Sequence, residues 1–214
     1  MPPAANLLKG AVMLYAKGKN QRYARATPGK TGHCPACGEG LIPKCGAINV
    51  WHWSHKARDC DSWYEPETDW HLGWKGLVRP SRCEVVIELF ETKHRADILA
   101  NNDEVIELQH SPISADGIWL RETFYQNMVW VIDAQPFIKN IAFTEVEPQE
   151  GRPYYRFKWK WPRKTLLSIT KPHYWDLGGM MFRVKKVNNE GKGWGRYMEK
   201  ERFIRQHMSD VLDV

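Results

Sequence analysis

"HRADILANNDEVIELQHSPIS", residues 94–114, places two carboxylates where the surrounding residues read as β-strand. Asp97 stands inside "HRADILA" and Glu107 inside "EVIELQH", with the turn-forming "NND" at 101–103 between them. Strand interiors exclude an uncompensated charge because its desolvation is costly. In a hairpin turning at Asn101–Asn102 the two acids lie on adjacent strands and can face the same way. Two carboxylates that close repel unless a cation sits between them. A hard divalent cation such as Mg²⁺ takes oxygen ligands, commonly one or two carboxylates together with substrate phosphate. The spacing Asp-x9-Glu-x-Gln, ending at Gln109, is common by chance in sheets and gains its meaning from the element order around it.

The flanking segments define an element order. Pro66 suits the first turn of a helix, and Trp70, Trp74 and Leu77 then recur at spacings of four and three, predicting a buried stripe. Glu67, His71 and Lys75 recur every four residues and form a polar strip beside that stripe. "CEVVIELFE" (83–91) is strand-like, as are the two halves of the opening stretch. "SADGIWLRETFYQ" reads as a helix capped by Ser114 or Asp116, with Ile118, Arg121 and Tyr125 on one face. "MVWVIDA" (128–134) is a wholly apolar strand. The predicted order is αβββαβ.

The chain has 214 residues and no apolar run long enough to span a bilayer. Its opening "MPPAANLLKGAVMLYAKGKN" lacks the basic start of a signal peptide. The net charge of +6 is unevenly spread: residues 1–58 carry +8, residues 59–150 carry −11 and residues 151–214 carry +9. An acidic middle between basic ends suits a carboxylate site flanked by phosphate-attracting surfaces. Three segments follow: an amino-terminal module (1–62), a central core (63–144) and a basic, aromatic extension (151–214).

Five cysteines, an odd count containing "CPAC", indicate a reducing compartment and a metal rather than a disulfide framework. Cys34 and Cys37 supply two thiolates, and tetrahedral zinc needs two more ligands. "WHWSHKARDC" offers His52, His55 and Cys60. The preferred set is Cys34, Cys37, His55 and Cys60, with His52 replacing one of the last pair as the alternative. Four protein ligands leave no open position, so such zinc is structural. Cys83, at the start of an apolar strand, reads as plain core.

In the last segment "YRFKWKWP" (155–162) alternates. Tyr155, Phe157, Trp159 and Trp161 face one way, and Arg156, Lys158 and Lys160 the other. With the aromatic face buried, the basic face can lie along a phosphate backbone. "NNEGKGWGR" (188–196) reads as a glycine-rich turn, and "MEKERFIRQHM" (198–208) as a closing helix.

The pieces "CPAC", "WHWSHKARDC", "EPETDWHLGWK", "RADI", "VIELQHSPIS" and "RETFYQNMVWVID", in that order, resemble the competence protein CoiA-like family of the PD-(D/E)xK nuclease superfamily. The resemblance covers about Cys34 to Ala134. It implies a restriction-endonuclease-like mixed α/β core preceded by a zinc module; the basic β/α extension that follows lies beyond it and is read from its own residues. It implies a DNA nuclease dependent on Mg²⁺ or Mn²⁺, with Asp97, Glu107 and the Leu108 carbonyl on the metal and Gln109 in the slot of the superfamily's lysine. Glu67 and Lys75 join the catalytic set, Lys75 supplying the cation that Gln109 cannot. His71, Arg121 and Tyr125 are expected in support; from the residues alone His110 is expected beside substrate, and Arg156, Lys158 and Lys160 on DNA. The alternative is a non-catalytic, zinc-containing DNA-binding accessory. The resemblance also implies cytoplasmic action in bacteria or phage-infected cells, in recombination or processing of incoming DNA alongside recombination proteins.

Overall fold

A computed structural model describes residues 13–18, 23–47, 50–56, 60–63, 67–148 and 151–213. The chain divides into two compact units, Met1–Leu99 with Val211–Val214, and Ala100–Asp210. The boundary thus falls inside the middle segment of the sequence, just after the strand that carries Asp97.

In the first unit, strands β1 (Tyr15–Lys17), β2 (Tyr23–Arg25), β3 (Gly32–His33), β4 (Gly40–Lys44) and β5 (His52–Ser54) form an antiparallel sheet in the order β2-β1-β3-β4-β5. So few short strands bury little, and their core is correspondingly small: Met13, Ala16, Ala26, Cys34, Leu41 and Trp53. The Trp53 indole donates to the Ala24 carbonyl at 2.9 Å, so this large buried ring keeps its polar group satisfied.

Helix α1 (Asp69–Lys75) starts from a capping box. The Thr68 hydroxyl accepts from the His71 amide, and the His71 ring accepts from the Thr68 amide. Pro66, expected in the first turn, lies outside the described residues. Glu67 precedes the cap, so it is not a helical residue as its spacing suggested. The predicted burial is also reversed in part. Trp74 is buried, but Trp70 and Leu77 are only half-buried, whereas the polar Glu67, His71 and Lys75 are all buried. The polar strip faces inward together with Trp74, because Glu67 and Lys75 meet ionic partners there and His71 meets Thr68.

Strands β6 (Cys83–Leu89) and β7 (Thr92–Leu99) form an antiparallel hairpin. Asp61 ties the preceding chain to it. Its carboxylate accepts from the Arg95 amide at 2.7 Å and the His94 ring at 3.0 Å, and Trp63 stacks on that ring with centroids 3.2 Å apart. Burial alone would raise the Asp61 pKa, but these bonds hold it below its usual value.

A 3₁₀ turn at Asn101–Asp103, with Asn102 and Asp103 in the left-handed region, follows β7 where the sequence predicts a turn. The second unit then continues with β8 (Val105–Gln109), α2 (Ala115–Tyr125), β9 (Met128–Asp133), β10 (Ile141–Val146), β11 (Tyr154–Trp159), β12 (His173–Asp176), β13 (Met180–Val187), β14 (Lys192–Glu199) and α3 (Lys200–Met208). From α1 to β9 the order is the predicted αβββαβ. Within the unit the strands run β10-β11-β14-β13-β12-β9-β8. β9 is parallel to β8 and β12, and the other neighbours are antiparallel. Every residue of β8 and β9 is buried, as central parallel strands require. Ser114 caps α2 through the Gly117 amide at 3.0 Å. No helix among the described residues is long and apolar enough to cross a membrane.

The glycine-rich stretch 188–196 is only partly the turn the sequence predicts. The Asn188 side chain accepts from the Glu190 and Lys192 amides and closes a turn, but residues 192–196 are strand. Gly193 and Gly195 face the aromatic core: a Cβ would stand 2.5 Å from the Phe157 ring at one and 2.5 Å from the Phe182 ring at the other. Trp161 is a second departure. It lies beyond the end of β11 and is 64% exposed rather than packed with Phe157 and Trp159.

Gly195→Ala should therefore cost about 1–3 kcal/mol of stability by overpacking, read as a lower urea midpoint. Gly179→Ala, with open space around it, should shift the midpoint far less. Equal shifts would remove the close-packing explanation.

Candidate functional site

Two clusters lie in the first unit. The Cys34, Cys37 and Cys60 sulfurs and a His55 ring nitrogen all lie within 4.8 Å of one another. Their arrangement fits one tetrahedral ion. Zinc–sulfur bonds of about 2.3 Å give sulfur–sulfur edges of about 3.8 Å, and Cys34 Sγ lies 3.6 Å from Cys60 Sγ. Cys37 Sγ lies 3.4 Å from His55 Nε2. The knuckle that presents them is a turn in which the Ala36 amide points at Cys34 Sγ and the Gly38 amide bonds the Cys34 carbonyl. Burial pushes the Cys34 and Cys60 thiols up, and the neighbouring sulfurs push Cys60 further, so the thiolate forms call for a cation. His52, the alternative ligand, is excluded from the group: on β5 it turns into the protein and donates to the Val50 carbonyl at 2.8 Å. Cys45 packs against the small core and Cys83 is wholly buried.

The second cluster gathers on Lys75, in the last turn of α1. Its buried ammonium donates to Glu67 Oε1, to Asp97 Oδ1 at 2.9 Å and to Glu84 Oε1 at 3.3 Å. Pairing of Cys83 with Ile98 and of Val85 with Ala96 sets Glu84 opposite Asp97 across the hairpin. Glu84 adopts φ +52°, a strained conformation for a residue with a side chain, of a kind that concentrates at functional sites. Its other oxygen accepts from the Leu14 amide at 2.8 Å. Sequence reasoning missed Glu84, although an acid as the second residue of the apolar run "CEVVIEL" was the available signal. Three carboxylates against one ammonium leave an excess negative charge in a dry setting, the donor chemistry of a hard divalent cation. Burial opposes the Lys75 charge, but Asp97, Glu67 and Glu84 raise its pKa well above the ordinary value. Burial pushes Glu67 up to about 7, against the pull of Lys75. His71, expected in support, serves as the capping partner of Thr68.

The remaining predicted residues lie in the second unit. Glu107 is buried on β8, with its Oε2 3.4 Å from Arg121 Nε. Arg121 also donates to the Gly117 carbonyl along α2, and Tyr125 is buried one turn on. Leu108 and Gln109 are buried beside Glu107, and the Gln109 amide donates to the Ser111 carbonyl at 2.9 Å. His110 donates from Nδ1 to Asp133 at 2.7 Å, and Arg163 donates to the His110 carbonyl at 3.2 Å. Glu122, unnoticed in the sequence, accepts from the Trp130 indole and from the Thr170 and Lys171 amides, fixing the segment before β12. Arg156 and Lys158 are exposed on the outer face of β11, opposite buried Phe157 and Trp159. Lys160, past the strand, lies over the Trp161 ring at 4.3 Å.

Comparison with known families agrees with this layout. Residues 17–62 match the N-terminal domain of competence protein CoiA, and residues 78–147 match its nuclease-like domain. The metal-ligand cysteines fall within the first match, and Glu84, Asp97 and Glu107 within the second. The fold and sites thus define a chain with a Cys₃His group able to hold a metal ion and a nuclease-like domain. It belongs to the competence protein CoiA-like family. No curated protein sequence or solved structure gives a significant match.

Purified, untagged protein should carry about one zinc per chain by metal analysis, and Cys34→Ala or Cys60→Ala should lose both the metal and stability. His52→Ala should keep the zinc. Loss of zinc in His52→Ala with retention in His55→Ala would replace the ligand set.

The Glu67 shift has a definite sign. A carboxyl with its folded pKa raised from 4.5 to about 7 contributes stability below pH 4.5 that is lost as pH rises through about 7. In buffer without Mg²⁺ or Mn²⁺, wild type should lose unfolding free energy over this range relative to Glu67→Gln. Parallel profiles for the two proteins would show that Glu67 titrates normally.

Proposed function

We propose that this chain is a divalent-metal-dependent DNA nuclease of the PD-(D/E)xK type, acting in recombination or in processing of incoming DNA. The observation that carries the reading is the buried Lys75 ammonium among Glu67, Glu84 and Asp97, in a chain with a nuclease-like domain. In this reading Asp97, Glu107 and the Leu108 carbonyl hold Mg²⁺ or Mn²⁺, as the spacing Asp-x9-Glu-x-Gln and the family resemblance suggest. Such an ion, when bound, lowers the pKa of a coordinated water and offsets charge on the phosphate.

The chain's own groups divide the remaining work. Lys75, held charged by its carboxylates, cannot take up a proton and acts as a fixed cation toward phosphate charge. Gln109, a neutral amide, orients by hydrogen bonding and carries no charge. Glu67, pushed up to about 7, is the group of this cluster able to exchange a proton at neutral pH. Arg121, already beside Glu107, offers a planar fork suited to a phosphate. The zinc of the amino-terminal module is structural in this reading, and the protein works in the cytoplasm of a bacterial or phage-infected cell, with recombination proteins as partners. A second reading, a non-catalytic DNA-binding accessory, draws on Gln109 standing in the lysine slot with its amide engaged by Ser111.

Single-turnover cleavage of linear, circular, flapped and single-stranded DNA in Mg²⁺ or Mn²⁺ separates the two. Asp97→Ala and Glu107→Ala should abolish cleavage while DNA binding in chelator persists. Lys75→Ala should slow it at least about ten- to a hundredfold, or about 1.4–2.7 kcal/mol, and Lys75→Arg should recover part of the loss. Cleavage surviving in Asp97→Ala would end the nuclease reading, and binding without cleavage by the wild type would leave the accessory.

A further inference from the structure

The second unit carries a groove that, Arg156 apart, the nuclease reading does not use. It has a cavity of about 600 Å³ on the outer face of β11, β14 and β13, lined by Tyr154, Arg156, Lys186, Lys192, Trp194 and Arg196. The strand registers explain the clustering. Trp194 pairs with Arg156 on one side and Lys186 on the other, so one row reads Arg–Trp–Lys across three strands. Lys192 and Arg196 share the Trp194 face of β14, and the intervening Gly193 and Gly195 give their own face to Phe157 and Phe182. The alternation Lys-Gly-Trp-Gly-Arg thus does two things: its glycines let the aromatic core close, and its large residues all project outward.

The chemistry of this face is narrow. Trp194 is 37% exposed, and Tyr154 meets it edge-on at 5.6 Å, so an aromatic platform stands among cations. Glu190 pairs with Lys192 at 2.7 Å on the surface and Glu147 precedes the lining Pro148, while Arg156, Lys186 and Arg196 line the groove itself with positive charge and no carboxylate among the described residues lines it. Cations track phosphates, while an aromatic face stacks on a base. A duplex hides its base faces in the stack, so the combination selects an unpaired strand.

We propose that this groove binds single-stranded DNA, with a base stacked on Trp194 and the backbone along Arg156, Lys186 and Arg196. The choice of DNA over RNA rests on the nuclease reading; the stacking site does not.

The experiment is equilibrium binding of the full chain to fluorescein-labelled oligo(dT), a matched duplex, an abasic oligonucleotide and oligo(U), all in chelator so that no turnover occurs. Trp194→Ala should weaken oligo(dT) binding about tenfold or more while leaving duplex and abasic binding unchanged. Trp194→Phe, which keeps an aromatic face and guards against misfolding, should retain most of the affinity. Arg156→Ala and Lys186→Ala should each flatten the log–log salt dependence by about 0.7. Unchanged oligo(dT) affinity in Trp194→Ala, or an equal loss on the abasic strand, would overturn the stacking site. Preference for oligo(U) over oligo(dT) would overturn the assignment to DNA. Because binding is read without metal, an inactive nuclease site would leave this result intact.

Discussion

The first unit is organised around one buried charge. Lys75 is fully removed from water, and an ammonium in that position is stable only when its environment supplies the opposite sign. Three separate elements supply it: Glu67 from the chain before α1, Glu84 from β6 and Asp97 from β7. The constraint fixes α1 on the hairpin, because any displacement strands a buried ion. It also accounts for the backbone of Glu84, whose left-handed conformation lets one oxygen reach Lys75 while the other caps the Leu14 and Tyr15 amides. Through that second contact the cluster is tied to the start of β1 in the same unit.

The amino-terminal sheet has too little apolar area to stand on hydrophobic burial alone. Two further devices brace it. The Cys₃His group joins the knuckle at 34–37 to the chain at 55–60, closing a loop that contains β4 and β5. Immediately beyond Cys60, Asp61 binds the Arg95 amide and the His94 ring, so the metal-binding segment ends on β7 two residues from Asp97.

Much of this was legible from residue order. The strands and the helix from 83 to 134 were legible because β8 and β9 are wholly buried and read as continuous apolar runs, β6 and β7 carry β-branched residues, and α2 carries its cap. The Cys₃His group was legible because a tetrahedral ion needs four ligands and few were on offer; the odd spacing of His52 and His55 already separated their directions. Other features were hidden by physics that a linear pattern does not carry. Glu67, His71 and Lys75 read as a strip at the edge of a buried stripe, but their burial depends on Glu84 and Asp97, which are distant in sequence. The glycines at 193 and 195 looked like a turn because glycine usually marks one, and only the facing Phe157 and Phe182 rings show that they serve close packing inside a strand. Trp161 obeyed the alternation of β11 but fell past its last ladder pair, where periodicity no longer governs direction.

The neutral residue at 109 follows from the charges around it. On β8 the Glu107 carboxylate already faces the Arg121 guanidinium at 3.4 Å. A lysine at 109 would bring a second cation to β8 beside a carboxylate that Arg121 already faces. On α1 the balance is the reverse: three carboxylates converge, and a cation there lowers the repulsion among them instead of adding to it. Placing the ammonium on the helix and an amide on the strand satisfies both sites. The positive charge then sits where it relieves acid–acid repulsion in the resting protein, and Gln109 contributes only hydrogen bonds, one of which holds the chain at Ser111 as it leaves β8.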